Sequence, residues 1–276
     1  MTLLAVQRLG AGASAPDAPV LHADDEGFLR GRAVFETLRV YGGRPFRLDA
    51  HLARLARSAA ALRLPAPDEA ALARLGLDAI AAGGEPDAVL RFLWTAGREG
   101  SGEPTGLALV SSLPPGLDDL RARGLRLGVI GWAPGRLAGS KSTSYAENMA
   151  AQDEARARGC DDALLVDGDD VVLEAPTANA WFREGDRLLT PTLAQPILAG
   201  VTRAALWELA REAGYAPEEG VFPLTRVAAA DEVFLSSSVR EVMPVVALDG
   251  AAVGGGRPGR AARELQDALR SAAERR

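Results

Sequence analysis

The chain has 276 residues, enough for one large domain or two modest ones, each with its own core. Apolar residues make up 47% and charged residues 25%, the balance of a globular protein that lives in water. The net charge of −6 and the lack of a basic stretch interleaved with aromatics argue against a nucleic-acid partner. No apolar run approaches the roughly 20 residues that span a bilayer.

The N-terminus, MTLLAVQRLGAG, lacks the charged-then-apolar layout of a secretory signal. TLLAVQ and the stretch near PVLHADD read as short strands with a loop between them. ETLRVYGGRPFRL reads as a hairpin around Gly42-Gly43. A helix follows in DAHLARLARSAAALRL, with Leu52, Leu55, Ala59 and Leu62 at helical spacing and Asp49 as its expected N-cap. Residues 68–82 form a second helix, and DAVLRFLWTAG and TGLALVSSL are strands. Pro114-Pro115-Gly116 then marks a junction. The domains expected from it are 1–113 and 119–276, with 114–118 as the linker.

The second half opens with the strand LRLGVIGW and the loop APGRLAGS, which leads to Lys141. A helix covers roughly Tyr145 to Arg158. Hairpins follow around Asp167-Gly168-Asp169 and around Glu184-Gly185-Asp186. Pro196 to Thr202 is a turn, and VTRAALWELAREAG is a helix that starts after Gly200. DEVFLSSS and PVVALDG are strands, and a helix from about Arg260 closes the chain. Strands and helices mix without a regular βαβ alternation, so the class is α+β rather than a doubly wound sheet. Cys160 is the single cysteine, which rules out an intrachain disulfide and fits a reducing cytoplasm. It lies between a helix pattern and a strand pattern, a position for buried filler. His22 and His51 are too few for a typical zinc site.

Lys141 is the only lysine; every other basic side chain, histidines aside, is arginine. Two explanations stand. An Ala- and Arg-rich coding bias left one lysine at the surface, or this position needs an amine. Arginine keeps its proton in proteins, whereas a lysine with a lowered pKa serves as nucleophile and proton carrier. A Schiff-base lysine usually serves pyridoxal phosphate. Such a site also needs a carboxylate for the pyridine nitrogen, donors for the phosphate and a group for the substrate carboxylate. Glu174 in VVLEAPTANAWF offers the carboxylate, or is a hairpin-end glutamate facing water. Gly200, Val201 and Thr202 open a helix whose N–H groups are free, or merely cap it. Arg54 and the hydroxyls of Ser236, Ser237 and Ser238 are further donors, or a solvated helix arginine and an ordinary turn.

Taken together, GRAVFETLRVYGGRPFRLDAHLARL, SKSTSYAENMAAQDEARARGCDDALLVD, VVLEAPTANAWF, LLTP, ILAGVTR and ADEVFLSSSVREVMPV stand in a specific order from about Gly31 to Gly250. In that order the chain resembles the class IV, fold type IV, pyridoxal-phosphate aminotransferases. That family includes D-amino acid aminotransferases, branched-chain aminotransferases and aminodeoxychorismate lyases. The resemblance implies a two-domain α+β enzyme, with a smaller N-terminal α/β domain and a larger barrel-like C-terminal α/β domain. It also implies a homodimer with active sites near the subunit interface. Lys141 matches the lysine that carries the cofactor and moves the proton, and Glu174 the carboxylate on the ring nitrogen. Arg54, Val201, Thr202 and Ser238, with Ser237 beside it, match the phosphate cup. Tyr145 sits near the position of a tyrosine beside the phenolic oxygen. Asn179 matches a common asparagine after the glutamate, although Thr177-Ala178 replaces the hydroxyl pair often found before it.

The substrate end departs from the family pattern. Thr95-Ala96-Gly97 stands where many D-amino acid enzymes and lyases carry Thr/Ser-Arg-Gly. Arg91 matches a substrate-facing position in branched-chain enzymes, and Arg30 a position that in relatives reaches the neighbouring subunit's site. Each has a plainer alternative, an ion pair for Arg91 and a solvated loop for Arg30. Phe35 supplies an apolar wall. Phe35-Glu36-Thr37 (FET) is commoner in D-specific and lyase members than the FEG of branched-chain enzymes. The activity expected is therefore ping-pong transamination between a D-amino acid and an α-keto acid. Aminodeoxychorismate lyase, forming 4-aminobenzoate and pyruvate, is the alternative, followed by a branched-chain L-aminotransferase. A ligand-binding protein with an incidental lysine is the non-enzymatic reading.

Overall fold

The computed structural model describes residues 1–275. Its backbone contacts divide into two compact units, each with its own sheet. The first comprises Met1–Pro115 together with Ser140–Tyr145. The second comprises Gly116–Gly139 and the chain from Ala146 onward. The chain passes from one unit to the other between Pro115 and Gly116, and a short segment holding Lys141 belongs to the first unit. Backbone pairing is the reason. Val34 bridges Ser142, the Phe35 N–H donates to the Lys141 carbonyl at 3.0 Å, and the Thr143 N–H donates to the Ala33 carbonyl at 3.0 Å.

In the first unit the elements run β1 (Leu3–Arg8), β2 (Gly12–Ser14), α1 (Glu26–Arg30), β3 (Ala33–Tyr41), β4 (Arg44–Pro45), α2 (Leu48–Ala61), α3 (Glu69–Gly83), β5 (Ala88–Thr95) and β6 (Thr105–Ser112). The antiparallel sheet has the order β2-β1-β6-β5-β3-β4. Strand β3 alternates as a half-buried strand must. Val34, Glu36, Leu38 and Val40 are buried, while Phe35, Thr37, Arg39 and Tyr41 are half-exposed on the opposite face. The buried row packs with Leu52 and Leu55 of α2, Leu72 of α3 and Leu90 and Phe92 of β5. Each fully buried Leu or Phe contributes about 1.5–3 kcal/mol. Gly76 of α3 lets that helix lie against the sheet, because a Cβ there would collide with the Phe92 ring.

Asp68 caps α3 by accepting from the Ala71 N–H at 2.9 Å, and Gly84 closes it in the left-handed conformation. The start of α2 departs from expectation. Its N-cap is Arg47 in the left-handed region (φ 51°), with no side-chain cap bond, and Asp49 lies inside the first turn. There its carboxylate favours the helix dipole rather than capping a donor. The PVLHADD stretch is likewise a turn rather than a strand. It leads into α1, whose N-cap Asp25 accepts from the Gly27 N–H at 2.8 Å.

The second unit runs α4 (Leu117–Arg123), β7 (Leu125–Gly131), α5 (Ala146–Ala157), β8 (Asp162–Val166), β9 (Glu174–Ala175), β10 (Ala178–Glu184), β11 (Arg187–Pro191), α6 (Val201–Glu212), β12 (Ala216–Gly220), α7 (Leu224–Ala228), β13 (Glu232–Ser237), β14 (Glu241–Leu248), β15 (Ala251–Ala252) and α8 (Arg260–Glu274). Its larger mixed sheet follows β12-β11-β10-β13-β14-β7-β8, with β9 beside β10 and β15 beside β14. The expectation of a two-domain α+β protein with the larger sheet in the C-terminal half holds. The periodicity reading overlooked α4, α7 and β12, each seven residues or shorter, too short for a 3.6- or 2-residue period to register. Among the described residues no helix is long and apolar enough to cross a membrane.

Candidate active site

In the first unit the Lys141 segment is strapped to β3 on one side and to α2 on the other. The Lys141 N–H donates to the Oγ of buried Ser58 at 3.1 Å, and its carbonyl accepts from Phe35. The side chain is half-buried. Its Nζ lies 4.6 Å from the Phe35 ring centroid and 5.9 Å from that of Tyr145, and the two rings meet edge to face at 5.5 Å. The lone lysine, Phe35 and Tyr145 are thus brought together.

Arg54 is buried rather than solvated. Its Nε and Nη2 donate to the two carboxylate oxygens of Glu36, each at 2.7 Å. His51 Nδ1 lies 2.7 Å from Glu36 Oε2. Burial alone would push the Glu36 carboxyl up, but the bonds from Arg54 and His51 outweigh it and hold the group at about 2. Burial pushes the His51 imidazole down despite the Glu36 carboxylate, so a neutral ring donates from Nδ1. Glu36, His51 and Ser58 were not anticipated as site neighbours. Two signals mark them in hindsight. A carboxylate at an inward position of an alternating strand needs a buried cation, and 51, 54 and 58 share one helix face.

Arg91 pairs with Thr37 across β3 and β5, so it shares a sheet face with Phe35 and Thr37. It is exposed, and among the described residues no carboxylate pairs with it. Partial desolvation pushes its guanidinium pKa down, and Tyr145 pushes it back up. Arg30 lies on exposed α1 and is ion-paired with Glu99. Thr95 of the departing triplet serves α1, since its Oγ1 donates to Asp25 Oδ2 at 2.9 Å and accepts from the Gly97 N–H at 2.9 Å.

In the second unit Glu174 is half-buried and held by backbone and amide donors. The Leu198 N–H lies 3.1 and 3.2 Å from its two oxygens, and Asn179 Nδ2 donates to Oε2 at 3.0 Å. The same Asn179 amide donates to the Leu198 carbonyl at 2.8 Å. Cross-strand register places Glu174, Asn179 and Ser236 in one row, with Ser237 ending β13 and Ser238 opening the turn to β14. Gly200 follows Leu198 closely, and a Cβ there would collide with Asn179 Oδ1. Gly200 is the N-cap of α6 and gives no side-chain cap, so the helix opens at Val201 and Thr202 without an intrinsic acceptor for its first N–H groups. Arg203 anchors that first turn, donating to Thr190 Oγ1, the Pro191 carbonyl and Glu219 Oε1 at 3.2, 2.9 and 2.8 Å. Among the described residues no cluster of His, Cys, Asp and Glu is arranged to hold a metal ion.

Comparison with known proteins agrees in one direction. The model of the amino-transferase class IV family matches residues 33–248. A bifunctional aminodeoxychorismate lyase / D-amino acid transaminase of Mycobacterium tuberculosis is 35% identical over 254 residues, covering 85% of this chain and 88% of that protein. Among solved structures, the fold IV-transaminase CpuTA1 of Curtobacterium pusillum superposes with a TM-score of 0.90 at 32% identity, covering 98% of this chain and 97% of the other. A hypothetical aminotransferase of M. tuberculosis in its alpha-ketoglutarate- and PMP-bound form superposes with a TM-score of 0.92 at 31% identity, covering 99% of this chain and 100% of the other. With more than half of its length matched, the chain belongs to the class IV aminotransferase family.

Proposed function

We propose that this class IV aminotransferase uses pyridoxal 5′-phosphate to move an amino group from a D-amino acid to a 2-keto acid. The observation that carries the reading is Lys141, the only amine side chain in the sequence, half-buried and flanked by Phe35 and Tyr145. The donor sets fit the cofactor part by part. In the first unit Lys141 suits its carbonyl carbon and Arg54 its phosphate. In the second unit Glu174 suits the ring nitrogen. The uncapped start of α6 at Val201 and Thr202, with Ser237 and Ser238, suits the phosphate. When bound, the cofactor supplies an electron-withdrawing ring and a carbon that accepts the amino group.

The chain's own groups then have distinct tasks. Lys141 Nζ would accept the proton from the substrate α-carbon and hold it for return. Glu174, held by Leu198 and Asn179, keeps the ring nitrogen protonated. Tyr145 lies beside the lysine and supports the cofactor's phenolic oxygen. Phe35 forms an apolar wall, and Arg91 offers a guanidinium fork to a substrate carboxylate. Arg30, exposed on α1, serves a neighbouring subunit's site in a homodimer, and exposed Phe28 (72%) and Leu29 (51%) beside it support a subunit contact there. The lone cysteine supports a cytoplasmic setting.

One feature favours D-amino acids over branched-chain L-substrates, the Phe35-Glu36-Thr37 sequence; Arg91, on the same face as Thr37, offers a carboxylate fork to either. Likeness to the bifunctional mycobacterial protein also favours a second reading, aminodeoxychorismate lyase. The test is the visible spectrum of cofactor-loaded protein before and after D-alanine, with L-leucine and aminodeoxychorismate in parallel. Conversion by D-alanine alone supports the proposal. Conversion by L-leucine alone moves the protein to the branched-chain group. Pyruvate release from aminodeoxychorismate without an amino acceptor makes it a lyase.

A further inference from the structure

We infer that Glu36 is a positioning residue for cofactor binding: it holds the Arg54 guanidinium in the plane and at the place where the phosphate is bound. The inference rests on the reading of Arg54 as a phosphate ligand.

Glu36 stands in the middle of β3 on the helix-covered face, between Val34 and Leu38, and its exposure is 0%. A carboxylate in such a row is costly. A buried ion pair seldom adds net stability, since apolar groups of similar shape replace it at little cost or with gain. What a bidentate fork supplies is orientation. Arg54 Nε and Nη2 each donate to a different Glu36 oxygen, so the guanidinium plane cannot rotate without breaking a bond. His51, one turn earlier on the same helix face, takes a second position on Oε2 and stops the carboxylate itself from turning. Glu36 takes two of the five N–H donors of Arg54.

The same two elements also hold the lysine. Phe35, adjacent to Glu36, donates its N–H to the Lys141 carbonyl, and Ser58, one turn beyond Arg54, accepts the Lys141 N–H. Residues 35–36 of the strand and 51–58 of the helix therefore make one rigid mount. Its consequence is a fixed relation between the Arg54 guanidinium and the Lys141 backbone. A phosphate and the carbon bound to the lysine are separated by a rigid ring, so that relation governs how well both ends are satisfied at once.

The experiment uses the full chain stripped of cofactor and titrated with pyridoxal phosphate and, separately, with pyridoxal, which lacks the phosphate. Arg54→Gln, Glu36→Gln and the double variant are compared. Glu36→Gln should weaken pyridoxal phosphate binding about tenfold and change pyridoxal binding less than about twofold. The double variant should bind pyridoxal phosphate no worse than Arg54→Gln alone, because both changes remove one interaction. Should Glu36→Gln not fold, Glu36→Asp keeps the charge and draws the carboxylate back, and the same selective loss is expected. Equal weakening for both ligands would show a merely structural role and overturn the inference. So would an unchanged affinity for pyridoxal phosphate in the Glu36 variant when Arg54→Gln is weakened. If Arg54→Gln itself leaves pyridoxal phosphate affinity intact, the phosphate role of Arg54 is wrong and the inference goes with it.

Discussion

Among the described residues two glutamates are completely buried and paired with arginine, Glu36 in the first unit and Glu241 in the second. Glu241 opens β14 in the left-handed region (φ 59°). It accepts from Arg121 Nη2 at 2.9 Å, Gln266 Nε2 at 2.8 Å and Arg270 Nη2 at 3.1 Å. Its partners lie on α4 and α8, so the cluster fastens two helices to a strand. Glu36 joins only β3 and α2, which hydrophobic packing already holds together through Leu38, Leu52 and Leu55. Burial is alike in the two places; what differs is the number of arginines, one beside Glu36 and two beside Glu241, and the neighbour beyond them. The Glu36 cluster adjoins the Lys141 backbone, and the Glu241 cluster adjoins structural helices. A buried ion pair thus says little until its surroundings are followed one residue further.

Measurements of activity, affinity and stability on the same variants sharpen that contrast. The largest effect belongs to the group that the Glu36 mount serves. Lys141→Ala should lower turnover by about 10³-fold or more, with thermal stability nearly unchanged. Retained activity would break the assignment of the lysine. Next, Glu241→Gln should destabilise the chain by about 3 kcal/mol in urea unfolding, because it leaves half-buried Arg121 and Arg270 with only exposed Asp118 as counter-charge. Its affinity for pyridoxal phosphate, measured on the folded fraction, should match the parent.

Acid unfolding separates the two clusters further. The Glu36 carboxyl is held at about 2 against an ordinary value of 4.5. Its lowered pKa means that the stability it contributes is complete above pH 4.5 and fades as the pH falls towards 2. The depressed His51 adds loss in the same direction, since the unfolded chain takes up that proton more readily. Glu36→Gln should flatten the stability-versus-pH curve in that window, and Glu241→Gln should keep the Glu36 part of the slope. An unchanged slope in the Glu36 variant would contradict the depressed pKa.

Two smaller effects lie outside both clusters. Gly200→Ala should cost about 1–3 kcal/mol through its clash with Asn179, and should weaken cofactor binding because Asn179 also holds Glu174. Thermal unfolding with and without cofactor reads both terms. Arg30→Ala should change stability by less than about 0.5 kcal/mol, since its pair with Glu99 is exposed on both sides. A larger change on dilution of the protein would point to the subunit contact instead.

Much of this molecule is legible in the chain as written. Lys141 stands out because it is the one lysine in a sequence that otherwise uses arginine, and arginine keeps its proton. The hairpins at Gly42-Gly43 and Gly185 follow from local turn chemistry, which acts over a few residues. The helix start at Gly200-Val201 is readable for the same reason. What sequence could not supply are relations across long separations. The return of Ser140–Tyr145 to the first unit depends on backbone pairing with Ala33, Val34 and Phe35. The change of helix cap from Asp49 to Arg47 depends on how the chain leaves β4. Arg54 reads as a solvated helix arginine until β3 brings Glu36 beneath it. Periodicity reports which face a residue occupies; only packing puts a partner there, because the cost of burying a charge is settled by the groups that surround it in space.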